Sequence, residues 1–203
     1  RAPDALADTL RAIPGVADVQ TTTEQVVRVG IPGSADPIIG QLIGIDRRVP
    51  HRMNLVSVRS GRALDPEDGA RGDGAIAALV NEGFAQARGL KPGAMLDVLM
   101  NGRERHLMIV GTALSPEFIF AGLWGMPDQR GFGIFWIDRE ALDAAYDMKG
   151  AFNRVAVKLA PGAAERAVID ALDAHLARYG GRDAVGRADQ VSHQMLDNEI
   201  KEQ

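Results

Sequence analysis

The chain of 203 residues contains no cysteine, which excludes a disulfide framework and a zinc site built from thiolates. No apolar run approaches the roughly 18 residues that a membrane-spanning helix requires. The apolar fraction of 46% and the charged fraction of 25% are close to the averages of folded globular proteins. The composition therefore predicts a globular chain with a substantial core.

Excess positive charge is also absent. The net charge is -4 and the isoelectric point is near 5.6, with the basic residues scattered along the chain. Nucleic-acid affinity depends mainly on concentrated Lys and Arg side chains, and no such concentration is visible. We therefore expect no nucleic-acid partner.

The sequence lacks the common local motifs of catalysis and metal binding. None of its four lysines follows a glycine, so a phosphate-binding loop of the G-x-x-x-x-G-K type is missing. No serine has the G-x-S-x-G context of a hydrolase nucleophile. The histidines form no H-E-x-x-H pair; they are His51, His106, His175 and His193. The sequence predicts a protein that is not an enzyme and has no cofactor or metal, although an enzyme with a dispersed active site and a small-molecule binding module remain alternatives.

The two ends of the chain carry α+β patterns. An amphipathic helix is predicted near Leu6 and Leu10, followed by strands at 16–22, 25–31 and 37–46. Beyond residue 150, a strand at 152–159 precedes a helix, and the segment 182–190 is a further candidate strand. These patterns are typical of an α+β domain.

The middle of the chain is richer in strand patterns. Asn101-Gly102 lies between two apolar runs and is a strong hairpin signal. We therefore predict an α+β fold in which residues 1–55 and 150–203 form a discontinuous subdomain and residues 56–149 form an inserted β-rich subdomain. The chain starts at Arg1, and the helical pattern near its end has no stop signal, so we expect a segment of a longer protein.

Aromatic residues are few, yet both tryptophans and four of the six phenylalanines lie between Phe118 and Trp136. Phe132, Ile134 and Trp136 alternate as in a strand and are predicted to be core residues. The preceding stretch leads into a Gly-Met-Pro-Asp break, where exposed apolar groups would mark a partner-binding or lipid-facing surface. The predicted partner-binding residues are Phe118, Phe120, Trp124 and Met126.

Several ordered stretches resemble the extracytoplasmic domain of FtsX/MacB-like permeases of ABC transporters. They include "SVRSGRALDP", "ALVNEGFAQARGLKPG", "VGTALSPEF" and "DQVSHQMLDNEI". Each stretch is weak alone, and the resemblance depends on their order from Ala5 to about Ile200. It implies an α/β porter-like subdomain split by a β-rich insertion, between the first two membrane helices of a permease.

The resemblance also implies a role in transport. Such permeases lie in the bacterial inner (cytoplasmic) membrane with this domain in the periplasm or extracytoplasmic space. The domain binds cargo or a partner, such as a periplasmic adaptor, a lipoprotein or a cell-wall enzyme. It transmits the conformational cycle of a separate cytoplasmic ABC ATPase subunit, an activity described as mechanotransmission. The resemblance further implies dimerisation only in the full-length permease, through its membrane helices and ATPase.

Overall fold

The computed structural model describes residues 1–48, 56–69, 74–115 and 128–181. The chain divides into two compact units. The first combines Arg1–Thr21 with Gly150–Gln203, and the second is the continuous segment Thr22–Lys149. In the described part of the chain, no helix is long and apolar enough to span a membrane.

The first unit is a small α+β assembly. Its elements are β1 (Ala2–Pro3), α1 (Leu6–Arg11), β2 (Val16–Thr22), β10 (Ala151–Phe152), β11 (Arg154–Leu159), α4 (Glu165–Leu176) and a 3-10 helix at Ala177–Tyr179. Strand β1 pairs with β10, and β2 pairs with β11. The core of this unit contains Leu10, Ile13, Val19, Phe152, Val168 and Leu172. The helical spacing of Val168 and Leu172 turns both side chains toward that core, as the sequence pattern predicts.

The second unit contains the remaining elements. They are β3 (Glu24–Gly30), β4 (Ile38–Ile45), β5 (Ser57–Gly61), a 3-10 helix at Pro66–Gly69, β6 (Ile76–Asn81), α2 (Glu82–Arg88), β7 (Met95–Met100), β8 (Arg103–Leu114), β9 (Phe132–Asp138) and α3 (Arg139–Tyr146). Six strands close into a barrel in the order β3-β4-β9-β6-β8-β7, because β7 pairs with both β8 and β3. Strand β5 pairs with the second half of β8.

The two helices of this unit lie at opposite ends of the barrel because of the directions of the strands that they follow. Strand β6 is antiparallel to β9, whereas β4 is parallel to β9 and β6 is parallel to β8. Helix α2 directly follows β6, and α3 directly follows β9. Because β6 and β9 run in opposite directions, the two helices begin at opposite ends of the barrel.

Apolar side chains from all six strands meet inside the barrel, together with Phe84 of α2 and Leu142 of α3. The strand residues include Val27, Val29, Leu42, Ala78, Val80, Leu96, Val98, Met100, Leu107, Ile109, Phe135 and Ile137. Gly40 faces this interior, where an added Cβ would lie 2.6 Å from Val29 Cγ2. A side chain larger than hydrogen therefore does not fit at this position without displacing its neighbours.

Strand β9 is buried on both of its faces. Phe132, Ile134 and Trp136 belong to a second buried cluster on the outside of the barrel, which confirms the prediction that they are core residues. The opposite face of the strand is buried as well, because Phe135 lies in the barrel interior. Closing the sheet into a barrel buries the inner face, and Val56 and Leu64 pack against the outer cluster.

The predicted hairpin is present between β7 and β8. Asn101 has a φ angle of 47° and Gly102 one of 77°, and both signs are those of a type I′ turn. The two strands pair from Met95 with Met108 to Met100 with Arg103. The Asn-Gly dipeptide therefore sets the register of this hairpin.

The chain has the predicted α+β fold with a split porter-like part and an inserted β-rich part. The first boundary differs from the prediction, which assigned residues 22–55 to the discontinuous subdomain. Strands β3 and β4 instead pair with β7 and β9 of the barrel. Only Thr23 separates β2 from β3, so no break in the local pattern marks the boundary. The strand and helix predicted after residue 181 lie outside the described residues.

Candidate partner-binding surface

The predicted partner-binding residues Phe118, Phe120, Trp124 and Met126 lie outside the described residues. The structure does describe the two points where this segment joins the barrel, which are Ser115 after β8 and Asp128 before β9. Strand β8 is parallel to β6 and β9 is antiparallel to it. Both joining points therefore lie at the end of the barrel where β6 leads into α2.

Asp128 forms a tight turn at the second joining point. Its Oδ1 accepts hydrogen bonds from the backbone N–H groups of Arg130 at 3.1 Å and Gly131 at 2.8 Å. Aspartate side chains commonly stabilise turns by binding the backbone two or three residues further on. This turn fixes the direction in which the chain enters β9.

Two arginines join this turn to α2. Arg88 Nε donates to the carbonyl oxygen of Arg130 at 2.8 Å, and Arg130 Nη1 donates to the carbonyl oxygen of Ala87 at 2.7 Å. Arg88 Nη1 also donates to Asp36 Oδ2 at 2.7 Å. The side chain of Arg88 is only 7% exposed. We call the residues Asp36, Arg88 and Arg130 the arginine clamp.

The clamp lowers the pKa of one of its own residues, Asp36. The hydrogen bond from Arg88, and then its charge, lowers the pKa of Asp36 below its ordinary value. Asp36 therefore stays ionised over the usual pH range and keeps Arg88 oriented toward the turn.

Helix α2 is itself held firmly on the barrel. The ring of Phe84 packs edge-on against Phe135, with 5.7 Å between centroids and 75° between planes. Asn81 Oδ1 accepts a hydrogen bond from the Ile134 backbone N–H at 2.9 Å. A Cβ at Gly83 would lie 3.3 Å from the Gln129 side chain, so the turn lies close to the first turn of α2. Residues 116–127, which we call the aromatic segment, are thus followed by a turn that is hydrogen-bonded to α2.

Sequence reasoning missed the arginine clamp. Arg88 and Asp36 are separated by 52 positions, and nothing in either local pattern pairs them. The Asp128 turn did have a local signal, since an aspartate followed three residues later by a glycine is typical of such turns. The missing information was the closure of the barrel, which brings β4, α2 and β9 together.

A second feature, which we call the α3 groove, lies at the opposite end of the barrel. It is a cavity of about 770 Å³ between α3, the β7–β8 hairpin and the start of β6. Its apolar lining includes Ile76, Met100, Ala141 and Ala144. Asn101 Nδ2 donates to the Ala145 carbonyl oxygen at 3.1 Å and joins the hairpin to α3.

Ion pairs border this groove. Arg62 donates to both carboxylate oxygens of Asp68, at 2.7 and 3.0 Å, and this contact lowers the pKa of Asp68. Arg48 pairs with Glu140, whose pKa is also lowered mainly by that hydrogen bond. The two arginines therefore neutralise both carboxylates. A third pair, between Arg47 Nε and Asp138 Oδ1 at 2.8 Å, is almost fully buried.

The described histidines take no part in either feature. His106 pairs with Asp97 at 2.7 Å on the exposed outer side of the barrel, and His175 is exposed on α4. Within residues 1–48, 56–69, 74–115 and 128–181, no group of three His, Asp or Glu side chains is arranged to hold a metal ion.

The chain matches a known family over most of its length. The family model of the MacB-like periplasmic core domain matches residues 1–175. The chain belongs to this family. MacB-like periplasmic core domains are extracytoplasmic domains of ABC transporter permeases, and permeases of this family work with a cytoplasmic ATPase. The match confirms the family that the sequence resembles.

Two solved structures have the same fold. The periplasmic region of MacB from Actinobacillus actinomycetemcomitans aligns with a TM-score of 0.53 and 13% identity, covering 96% of this chain and 83% of the other. The extracellular domain of the ABC-type transporter YknZ from Gram-positive bacteria aligns with a TM-score of 0.52 and 14% identity, covering 90% of this chain and 86% of the other. Among curated proteins, none matches the chain.

Proposed function

We propose that this MacB-like domain binds a periplasmic protein partner through Phe118, Phe120, Trp124 and Met126. In this proposal, the domain passes the conformational cycle of the cytoplasmic ATPase to that partner without catalysing a reaction itself. The permease lies in the bacterial inner membrane, with this domain in the periplasm. An adaptor, a lipoprotein and a cell-wall enzyme are the classes of partner that we consider.

The arginine clamp carries the proposal. A loop that only connects two strands does not need to be held firmly at its ends. A loop that transmits force must be attached firmly to its domain. Arg88 and Arg130 each donate to the backbone of the other's segment, and Asp128 orders the turn between them and β9. In this proposal, a displacement of the barrel therefore reaches the end of the aromatic segment, before β9, with little loss.

The composition of the segment supports a protein contact. Aromatic and methionine side chains are enriched in protein interfaces, and tryptophan is enriched among the residues that contribute most of the binding energy. The segment contains one of the two tryptophans in a chain whose aromatic fraction is 5%. Partner binding through these side chains predicts that a few truncations remove most of the affinity.

The test uses the full-length permease, solubilised from membranes with its ATPase and analysed for co-purifying periplasmic proteins. A variant with alanine at Phe118, Phe120, Trp124 and Met126 is expected to lose a periplasmic protein and to retain the ATPase. The matched control replaces exposed apolar residues of the outer barrel by alanine, namely Val26, Met95 and Leu99. This control is expected to keep both proteins. Equal recovery of the periplasmic protein with both variants would contradict the proposal.

A further inference from the structure

Two methionines and a histidine lie on the outer side of the β7–β8 hairpin. Met95 pairs with Met108 across the two strands, and Asp97 pairs with His106 in the next position on the same side. Side chains alternate between the two sides of a strand, and Leu107, between His106 and Met108, lies in the barrel interior. The four paired side chains therefore share the outer side of the barrel.

The register of the hairpin places these four side chains close together. The Ile109 N–H donates to the Ala94 carbonyl oxygen at 2.9 Å. Hydrogen-bonded pairs recur at every second residue of an antiparallel ladder, so the two outer pairs are both of the non-hydrogen-bonded kind. The Cα atoms of such a pair lie only about 4.5 Å apart, and their side chains are closer than in the other kind. Since methionine has three rotatable bonds, the sulfur atoms of Met95 and Met108 can reach a common point.

The contact with Asp97 determines which nitrogen of the histidine ring is available. Asp97 Oδ1 lies 2.7 Å from His106 Nδ1. An ionised carboxylate only accepts hydrogen bonds, so Nδ1 carries the proton and the neutral ring keeps its lone pair on Nε2. Histidines that bind metal ions usually donate their other ring N–H in this way to a carboxylate or a carbonyl group. Asp97 is therefore a positioning residue that prepares His106 Nε2 as a ligand.

The same group of side chains is accessible from solvent. Met95 is 42% exposed and the His106 side chain is 57% exposed, so an ion can enter without a change in the fold. Met108 is half-buried and packs against the outer cluster of the barrel, which supports its side chain. The other methionines in the described part of the chain, Met100 and Met148, are both buried. Met95 and Met108 are thus the two described methionines that combine proximity with access.

We propose that Met95, Met108 and His106 bind one Cu(I) ion on the outer side of the hairpin. Thioether sulfur is a soft ligand that selects Cu(I), and imidazole nitrogen also suits copper. Zn²⁺ is bound in proteins by thiolate, imidazole and carboxylate groups, so two thioethers disfavour it. The ligands come from two paired strands and alternate with interior residues, so they form no spacing motif in the sequence. This site does not depend on the aromatic segment or on the proposed partner contact.

The first test uses nuclear magnetic resonance of the 203-residue chain with isotope-labelled methionine methyl groups and histidine rings. Ag(I) is the probe, because it is a soft monovalent ion that resembles Cu(I) and resists oxidation. Addition of Ag(I) is expected to shift the methyl signals of Met95 and Met108 and the Nε2 signal of His106. The signal of Met100, on the interior side of β7, is expected to stay unchanged. Zn²⁺ at the same concentration is expected to leave all three methionine signals unchanged.

The second test measures Cu(I) affinity by competition with bicinchoninate in the absence of oxygen. The double variant Met95→Leu and Met108→Leu is expected to bind Cu(I) at least about tenfold more weakly. Leucine has a volume close to that of methionine, so the fold is retained. Met100→Leu makes the same replacement on the interior side and is the matched control, with an expected change of less than about twofold.

A variant of Asp97 tests its role as a positioning residue. Asp97→Ala keeps all three ligands but removes the acceptor of the Nδ1 proton. It is expected to weaken Cu(I) binding by about tenfold or more, as other losses of such partners do. Asp97→Asn retains an oxygen acceptor and is expected to weaken binding less than Asp97→Ala.

Three results would overturn the proposal. One is a wild-type spectrum in which excess Ag(I) shifts neither Met95 nor Met108. Another is equal Cu(I) affinity in the wild type and in the double leucine variant. The third is a shift of His106 by both Ag(I) and Zn²⁺ without a shift of either methionine, which would assign the pair of Asp97 and His106 to divalent ions instead.

Discussion

Arg88 Nη1 binds Asp36 Oδ2 at 2.7 Å while Nε of the same guanidinium binds the carbonyl oxygen of Arg130 at 2.8 Å. One side chain therefore joins the loop before β4, the end of α2 and the turn before β9. The Arg88 side chain is only 7% exposed, whereas that of Asp36 is 57% exposed. The turn before β9 is anchored through Arg88.

We predict that Arg88→Ala loosens the turn before β9. The change leaves the Arg130 carbonyl and Asp36 without their guanidinium donor, and the hydrogen bond to Arg130 contributes about 1 to 3 kcal/mol. Amide hydrogen exchange at Gly131 and Phe132 is expected to accelerate, and the urea midpoint is expected to fall. Arg28→Ala, on the exposed side of β3, serves as the control and should change neither quantity. Unchanged exchange in Arg88→Ala would show that the clamp does not hold the turn.

The pair formed by Arg62 and Asp68 predicts a pH dependence of stability. The guanidinium lowers the pKa of Asp68 in the folded state below its ordinary value of about 4. The stabilisation is therefore complete above about pH 4 and is lost as the pH falls through the lower folded-state pKa. Urea unfolding of the wild type and of Asp68→Asn, from about pH 7 to about pH 2, should give midpoints that converge only below about pH 4. A constant difference across this range would contradict the assignment.

We predict that removing the buried hydrogen bond between Thr23 and Asp143 lowers the free energy of unfolding. Thr23 Oγ1 donates to Asp143 Oδ1 at 2.6 Å, and Thr23 is fully buried. Thr23→Val keeps the shape and removes the donor, so we expect a loss of about 2 kcal/mol in unfolding free energy. Thr23→Ser keeps the donor and should lose less. Tryptophan fluorescence follows this unfolding, since Trp124 and Trp136 both lie within Thr22–Lys149. A larger loss in the serine variant would contradict the prediction.

We predict that a substitution at Gly102, in the Asn101-Gly102 turn, lowers stability through backbone conformation alone. Gly102 has a φ of 77°, and an added Cβ would meet nothing within 4 Å. Gly102→Ala is therefore expected to destabilise the barrel by about 1 kcal/mol through backbone strain alone. Gly30→Ala is the control, because its added Cβ would have ordinary contacts of 3.7 Å or more. Equal urea midpoints for the two variants would contradict the strain argument.

Local signals predicted several elements of the fold. The Asn101-Gly102 turn and the spacing of Val168 and Leu172 each depend on residues close together in sequence. The strands predicted at 16–22, 25–31 and 37–46 lie within one residue of their observed bounds. The local signals also predicted the split α+β architecture, because mixed helix and strand patterns at both ends of the chain flank a middle that is richer in strand patterns.

Contacts distant in sequence were not predictable from these patterns. The parallel pairing of β4 with β9 joins Ile43 to Trp136 and is one of the pairings that form the barrel. These pairings place β3 and β4 in the inserted unit, and closure of the barrel buries the inner face of β9. The arginine clamp and the α3 groove follow from the same closure, because each combines side chains from three or more elements.

In the proposed function, the aromatic segment contacts a partner and responds to the ATPase. The most direct measurement places a photo-cross-linking amino acid at Phe120 or Trp124 of the full-length permease, with Val26 as the control position. Cross-linked adducts are then compared without nucleotide and with the ATPase trapped by vanadate. We predict a periplasmic adduct at Phe120 and Trp124 whose yield changes with the nucleotide state, and little adduct at Val26. Equal adduct yields in both states, or adducts from Val26 alone, would contradict the account.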